Sequence, residues 1–335
     1  MRLKQSKLAF TVAGTVIGAG FATGKELLLF FHNEPSSLFS LLISVLLMGM
    51  VSLLYFSYQK KVTEKEQAYS VIELLFLLFS GASYAVMLAC GGEALQESIG
   101  LFSPFGNILT CLITLGVVMF GAQNVYCFNL IATPVLLVCM TGISLAGLLT
   151  PVGLFEASQS KTINLLVYSG YNLLSVLPVL GALSHTVEKK EGYHGIILGF
   201  FLVAMVGLLL KGFLLRFSQF TDESAIPVLT VISKLQNGSE ALYTVMLYLS
   251  VLTTAVNGLY AVTKGKNPMF WGLGLLCCSF LGFSKLIETL YPFFGYLGIG
   301  VAFYVIINTY GISKKSKKSK KSNRKDEKLW QAKKM

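Results

Sequence analysis

Apolar residues in this chain gather into long runs that are separated by short polar stretches. A helix needs about 20 mostly apolar residues to cross the hydrocarbon of a membrane, and ten runs meet or approach that length. The ten predicted spans lie near 7–31, 37–58, 68–97, 105–122, 126–149, 161–185, 194–215, 239–263, 267–284 and 286–312. Residues 225–237 (AIPVLTVISKLQN) are apolar but too short to cross, which predicts an interfacial or re-entrant half-helix. The pattern therefore predicts an all-α polytopic membrane protein.

Composition agrees with this class and locates the charge. Of the 335 residues, 54% are hydrophobic and 13% are charged, which is about half the charged fraction of a soluble domain. The net charge of +11 comes mostly from the segment that begins at Lys314, which holds 11 basic and two acidic residues. The remainder is nearly neutral and shows no basic face of the kind that binds nucleic acid. We expect a membrane domain over 1–312 and a basic, disordered cytoplasmic tail over 313–335.

Lysine and arginine residues in the predicted loops indicate the orientation. With the N-terminus in the cytoplasm, ten loop and terminal cations fall on the inner side and five on the outer side, before the tail is counted. Both termini are therefore predicted to be cytoplasmic, in a multi-pass protein of the cell membrane. The tail then either binds the anionic inner leaflet of the bilayer or only keeps the C-terminus inside; these two alternatives stay open.

Ten spans divide into two halves of five, 7–149 and 161–312, which would enter the membrane from opposite sides. Such an inverted repeat is typical of transporters that open a central site to each side in turn. The first span of each half carries helix-breaking residues, in GTVIGAGFATG at 14–24 and in VYSGYNLLSVLPVLG at 167–181. Small residues at this spacing also serve close helix packing. Because they occur at corresponding positions, we favour two broken helices, spans 1 and 6.

A helix that is broken inside a membrane exposes N–H and C=O groups that need partners. The amides that begin the second half-helix suit a carboxylate, and the carbonyls that end the first half-helix suit a small cation. We therefore expect a zwitterionic amino acid or a similar small solute as the ligand. The candidate substrate-binding residues are Thr15, Gly18, Ala19, Gly20, Tyr171, Asn172 and Glu93.

The segment GTVIGAGF resembles the G-x-x-I-G-x-G-[IF] motif of the amino acid–polyamine–cation superfamily. Three further segments, YNLL at 171–174, LSVLTTAVNGLY at 249–260 and GFSKLIETLYPFFGYLG at 282–298, extend the likeness. Together they resemble a bacterial amino-acid permease family of that superfamily, the YkvI type. The resemblance covers nearly all of the chain to about residue 312. It implies the five-plus-five inverted-repeat fold of the sodium-coupled bacterial leucine transporter.

The resemblance also implies a cation site between the break in span 1 and span 8. Its candidate ligands, carried over by position, are the carbonyls of Gly14, Ile17 and Ser250 and the hydroxyls of Thr253 and Thr254. Oxygen ligands suit a hard cation such as Na⁺, although a threonine hydroxyl often bonds to its own helix instead. A second sodium site of that fold uses an asparagine where this chain has Phe21. One cation or a proton is therefore expected rather than two sodium ions.

Proton coupling would require an ionisable side chain within the membrane. Span 3 offers Glu93, in the small-residue stretch CGGEA, and Glu73. Glu93 could instead lie at the outer interface, and Glu73 could reach water at the inner end. Lys25 and Glu26, just beyond the break, could form a gate or a solvated turn. Tyr84 is a weaker candidate for contact with the substrate.

The sequence contains no pattern that indicates catalysis or a resident cofactor. The three histidines lie near span ends without an HExxH motif, and no G-x-S-x-G elbow occurs. We therefore expect a secondary active transporter rather than an enzyme: a Na⁺- or H⁺-coupled permease for an amino acid or a similar small solute. The alternative is a membrane receptor of the same fold that binds a small solute without net transport.

Overall fold

A computed structural model describes residues 2–31, 35–60, 70–120, 122–149, 164–221, 224–235, 238–263 and 266–332. Within these ranges, helices account for nearly all of the chain, and short turns connect them. The helices are α1 (Arg2–Val16), α2 (Ala19–Thr23), α3 (Lys25–Phe30), α4 (Ser36–Gln59), α5 (Ser70–Ile99), α6 (Ser103–Met119), α7 (Ala122–Leu149), α8 (Asn164–Ser184), α9 (Lys189–Arg216), α10 (Pro227–Leu235), α11 (Glu240–Thr263), α12 (Pro268–Ser279) and α13 (Phe283–Ala332).

Seven helices in the described ranges are long and apolar enough to cross a membrane. They are α4, α8, α9 and α11, together with parts of α5, α7 and α13. Helices α6 and α12 are apolar but shorter, with 17 and 12 residues, and they correspond to the predicted fourth and ninth spans. An all-helical polytopic membrane protein is thus confirmed, whereas ten crossings stay a prediction.

The outward faces of the helices are apolar. Large hydrophobic side chains such as Phe39, Leu46, Phe201, Phe303 and Ile307 are exposed on them. A water-soluble monomer rarely presents so much contiguous apolar surface, so these faces are suited to lipid. The helices bury their other faces against one another.

The interior is organised around α5 and α11, which pack along each other. Helix α6 contacts both of them, and α12 lies against α5 and α6. On the other side of the bundle, α1 packs along α9, and α8 packs along both α4 and α13. This arrangement surrounds the short helix α2, which contacts α11, with protein rather than lipid.

The predicted break in the first span is confirmed. Helix α1 ends at Val16, and the chain passes through Ile17 and Gly18 before α2 begins. A second turn at Gly24, where φ is 79°, separates α2 from α3. A residue with a side chain would be strained at this φ, which explains the glycine there.

The predicted break in span 6 is wrong, because α8 is continuous from Asn164 to Ser184. Gly170 serves close packing instead: a Cβ there would lie 2.8 Å from the Ile299 amide nitrogen of α13. The polar residues nearby also support the helix, since the Ser169 hydroxyl and the Asn172 amide each donate to a carbonyl one turn earlier. Glycine in a membrane helix permits a break but does not require one.

The sequence also makes predictions for two shorter segments, α10 and the C-terminal part of α13. The predicted half-helix at 225–237 is present as α10, and its interfacial or re-entrant position in the membrane stays a prediction. Residues 313–335 were expected to be disordered, but α13 continues through this segment as far as Ala332. Lysine is a good helix former, and no glycine or proline follows Gly311 to end the helix.

The contact between α8 and α13 leads to a first prediction. A Cβ on Gly298 would run into the Gly170 carbonyl, whereas a Cβ on Gly300 of the same helix would meet no atom within 4 Å. Both Gly→Ala changes gain the same helix propensity, so the difference in stability between the two variants reports the steric clash. We expect Gly298→Ala to destabilise the protein by about 1–3 kcal/mol relative to Gly300→Ala. Thermal unfolding of the purified protein in detergent measures this, and equal melting temperatures would contradict the close packing.

Candidate functional site

The break in the first span leaves backbone groups without their usual helical partners. Gly18 is extended, with φ −96° and ψ −167°, and its amide donates to the carbonyl of Val16 at 3.0 Å. The next amide, that of Ala19, donates to Oγ1 of Thr254 on α11 at 3.4 Å. The first amide of α2 is therefore bonded to a side chain of another helix.

The carbonyls of Gly14 and Thr15 lose their donors as a result. In an uninterrupted helix they would accept from the amides of Gly18 and Ala19, four residues later. Since both of these amides bond elsewhere, the two carbonyls at the end of α1 are available to a cation, to water or to a solute.

Helix α11 holds α2 at both ends. Thr254 accepts from the first amide of α2, and the Tyr243 hydroxyl donates to the Ala22 carbonyl near its last turn at 2.8 Å. Gly18 permits the close approach of Thr254, because a Cβ there would lie 3.0 Å from Oγ1. Thr254 is predicted from the sequence, whereas Tyr243 is not, because its position in an apolar helix carries no distinguishing signal.

The candidate cation ligands on α11 lie within one turn of helix. The hydroxyls of Thr253 and Thr254 both donate to the Ser250 carbonyl, at 2.8 and 3.0 Å. This is the bonding to their own helix that the sequence left as the alternative, and each oxygen keeps a lone pair. Within the described part of the chain, Ser250 Oγ is buried and has no hydrogen-bond partner. Ser250 shares a helix face with Thr254, four residues later.

The described contacts do not bring the two candidate ligands Gly14 and Ile17 together. Ile17 is buried in the break, whereas Gly14 packs against α7, where a Cβ would lie 3.1 Å from Thr133 Oγ1. Phe21 offers no ligand and packs against Gly207 of α9, in agreement with its apolar character. Thr254 is thus brought to the break, and the complete cation site stays a prediction.

The candidate substrate residues separate into two groups. Gly18, Ala19 and Gly20 lie at the break or on α2, and all except Gly18 are buried. Thr15 faces outward, and its hydroxyl donates to the Thr11 carbonyl at 2.7 Å. The other group, Tyr171 and Asn172, is buried in α8 and lies close to the start of α3.

Glu26 joins these two groups. Its side chain is only 3% exposed, and its Oε1 accepts from the Asn172 amide at 3.3 Å. Its Oε2 and the Tyr291 hydroxyl of α13 each lie 2.8 Å from the point that a Gly20 Cβ would occupy. The turn at Gly24 allows α3 to place this carboxylate back over α2. The solvated turn that the sequence allowed for Glu26 is therefore wrong.

Aromatic rings surround this carboxylate. The rings of Tyr171 and Tyr291 stack with centroids 4.1 Å apart. The ring centroids of Phe30 and Tyr168 are 5.5 Å apart, and those of Phe79 and Tyr171 are also 5.5 Å apart. Tyr291 is not among the predicted site residues, although it lies in the segment GFSKLIETLYPFFGYLG that carries part of the family resemblance.

The described contacts bring neither carboxylate of span 3 to this cluster. Glu93 is half-buried, and the glycines before it pack against α6, where a Cβ on Gly92 would lie 2.9 Å from Ser103 Oγ. Glu73 is exposed near the start of α5. Tyr84 is buried between helices, with its hydroxyl 3.2 Å from Thr114 Oγ1 of α6.

Lys25 forms an ion pair beside the cluster. Its Nζ lies 3.1 Å from Glu288 Oε1 of α13 and 3.5 Å from the Ser224 carbonyl, just before α10. The lysine side chain is 15% exposed and the glutamate 52%. The pair therefore connects α3, α13 and the α10 segment at the boundary between the interior and water.

No family model matches the chain, but proteins of known sequence are similar to it. It is 23% identical over 332 residues to the uncharacterized membrane protein YkvI of Bacillus subtilis (strain 168), covering 88% of this chain and 93% of that protein. The uncharacterized protein YyaD of the same organism is 24% identical over 334 residues, with the same coverage. The chain is a distant homologue of both.

The fold is similar to solved transporter structures. The inward-facing conformation of Mhp1 matches with a TM-score of 0.53 and 13% identity, over 88% of this chain and 73% of that one. The manganese transporter of Eremococcus coleocola matches with a TM-score of 0.58 and 11% identity, over 91% of this chain and 78% of that one. These neighbours have the inverted-repeat fold of the leucine-transporter type, and they are transporters rather than enzymes.

The ion pair of Lys25 generates a second prediction. An exposed pair contributes at most about 1 kcal/mol, which corresponds to a roughly fivefold change in an opening equilibrium. We expect Lys25→Met to speed amide hydrogen exchange in α3 and α10 by up to about fivefold. The charge swap of Lys25→Glu with Glu288→Lys should restore slow exchange.

Lys234→Met is the matched control, since Lys234 is an exposed lysine on α10. It should leave exchange in α3 unchanged. Mass spectrometry of the exchanged peptides measures all four proteins, and unchanged exchange in Lys25→Met would show that the pair does not hold these elements together.

Proposed function

We propose that the protein is a secondary active transporter, a Na⁺- or H⁺-coupled permease for a small solute, with an amino acid as the favoured substrate class. The observation that carries the proposal is the interrupted first helix, whose break lies against Thr254 of α11. Such a break is stable in a membrane only where protein, water, ions or solute bond to the exposed groups. The similarity of the fold to transporters supports this assignment.

The packing of the helices supports the five-plus-five repeat that the proposal includes. If α1 corresponds to α8 and α4 to α9, the contact of α1 with α9 is equivalent to that of α8 with α4, and both occur. Likewise, the contact of α12 with α5 has a counterpart in that of α6 with α11. Helices α5 and α11 would then lie across the pseudo-twofold axis.

The candidate cation site provides the coupling. The α11 turn offers oxygen atoms of Ser250, Thr253 and Thr254, and α1 offers freed carbonyls across the break. The buried Ser250 hydroxyl without a partner in the described structure is consistent with a site for a further ligand. A cation bound here would connect α1 to α11 and so bias the position of the first helix.

A third prediction tests transport directly. The purified protein is first screened for thermal stabilisation by amino acids with and without Na⁺, and solutes that stabilise it are then tested in proteoliposomes. We expect concentrative uptake that depends on an imposed Na⁺ or pH gradient. Uptake at the same rate without either gradient would rule out coupling, and binding without uptake would favour a receptor.

A fourth prediction concerns Thr254. Loss of one oxygen ligand to a charged group costs about 1.5–3 kcal/mol, so Thr254→Val should raise the Na⁺ concentration for half-maximal stimulation about tenfold or more. Thr254→Ser keeps the oxygen and should retain stimulation. Thr141→Val is the control, because the Thr141 hydroxyl of α7 only donates to the Leu137 carbonyl of its own helix. Unchanged Na⁺ stimulation in Thr254→Val would leave Thr254 with the single role of bonding the first amide of α2.

A further inference from the structure

Glu26 is a buried carboxylate with few compensating partners. It is 3% exposed, and the donor to its Oε1 is the neutral side chain of Asn172 at 3.3 Å. In the described ranges, no lysine, arginine or histidine nitrogen lies within ion-pair distance of it. A charged carboxylate that is excluded from water is costly unless a positive charge or several hydrogen bonds compensate it.

The two lysines that contact residues beside α3 or within it bond to other groups. Lys25, the residue before it, pairs with Glu288, and Nζ of Lys211 on α9 donates to the Phe31 carbonyl at the end of α3. Among the described residues, the titratable groups that face the carboxylate are tyrosines, Tyr168 and Tyr171 from α8 and Tyr291 from α13. Helix α2 presents only Gly20 to it. None of these groups brings a positive charge.

The second oxygen of the carboxylate lies against α2 and α13. Glu26 Oε2 and the Tyr291 hydroxyl are each 2.8 Å from the point that a Cβ on Gly20 would occupy, so a side chain at this position would crowd both oxygens. The groups that contact the carboxylate in the described ranges are neutral, and a bound proton would remove its charge without a positively charged partner.

We propose that Glu26 is a proton-binding site of the transport cycle, separate from the candidate Na⁺ ligands on α11. Its carboxylate takes a proton from water on one side of the membrane and returns it to water on the other. This inference rests on the proposed function, which it extends by naming a coupling ion and the residue that carries it.

The neighbouring ion pair gives the site a controlled connection to water. Lys25 and Glu26 lie in one turn of α3, so separation of Lys25 from Glu288 would move the turn that carries the carboxylate. The hydrogen bond from Asn172 connects the same carboxylate to α8, which packs along α13. A change in the charge of Glu26 would therefore act on the interface between α8 and α13.

Infrared difference spectroscopy of the purified protein tests the proton site without any solute. The wild type should show the C=O stretching band of a protonated carboxyl, and this band should shift in D₂O. We expect Glu26→Gln to remove the band, and the control Glu188→Gln, which changes an exposed carboxylate just before α9, to keep it. The same band in Glu26→Gln would overturn the proposal. Because no transport is measured, this result stands whether or not the proposed function holds.

Proteoliposomes that contain a pH-sensitive dye test the role in coupling. An equimolar mixture of the common amino acids is added outside, and entry of protons and of labelled amino acid is followed. We expect Glu26→Gln to lower solute-dependent proton entry to the rate of protein-free liposomes while exchange of labelled solute continues. Proton entry at the wild-type rate would overturn the proposal.

Two further outcomes separate the alternatives. If Glu26→Gln loses thermal stabilisation by amino acids at every pH, the carboxylate holds an amino group of the substrate, and the proton site is wrong. If the wild type moves no solute while the infrared band depends on Glu26, the proposed transport fails but the proton site remains. Thermal unfolding of Glu26→Gln verifies that the variant is folded.

Discussion

The structure depends on how the protein satisfies the backbone of an interrupted membrane helix. Peptide groups without partners cost several kcal/mol each in a bilayer, so the chain around Ile17 and Gly18 is stable only inside a protein shell. Helix α11 supplies the bonds, through Thr254 at one end of α2 and Tyr243 at the other. The central position of α11, its packing along α5 and the small residues at the break all serve this requirement.

Helix α8 shows how the same residue types lead to a different result. In the proposed repeat the glycines of α1 and α8 occupy corresponding positions, yet α8 is uninterrupted, and its Gly170 allows the close approach of α13. The continuous helix therefore holds Tyr171 and Asn172 at fixed positions.

The sequence predicted the features that follow from local chemistry. Apolar run lengths predicted the helices, and Gly14 to Gly24 predicted the break in the first span. The family resemblance placed Thr254 beside that break. The sequence could not predict whether Gly170 interrupts α8 or allows another helix to pack closely against it, because this depends on α13. The sequence also could not place Glu26 against Asn172 and Tyr291. The direction of α3 is set by the turn at Gly24 and by contacts with helices that are distant in sequence, such as α8 and α13.

Lys25 and Glu26 show how one turn of helix can join two kinds of electrostatic contact. Consecutive residues of a helix point about 100° apart, so the lysine meets Glu288 and water while the glutamate is directed into the aromatic interior. The exposed pair is weak and can open at small cost, whereas the buried carboxylate cannot hold a charge without a partner. If the proposed proton site is correct, opening of the Lys25–Glu288 pair would give water access to the carboxylate, and a charged carboxylate would favour the open pair. The state of each residue would then depend on the other.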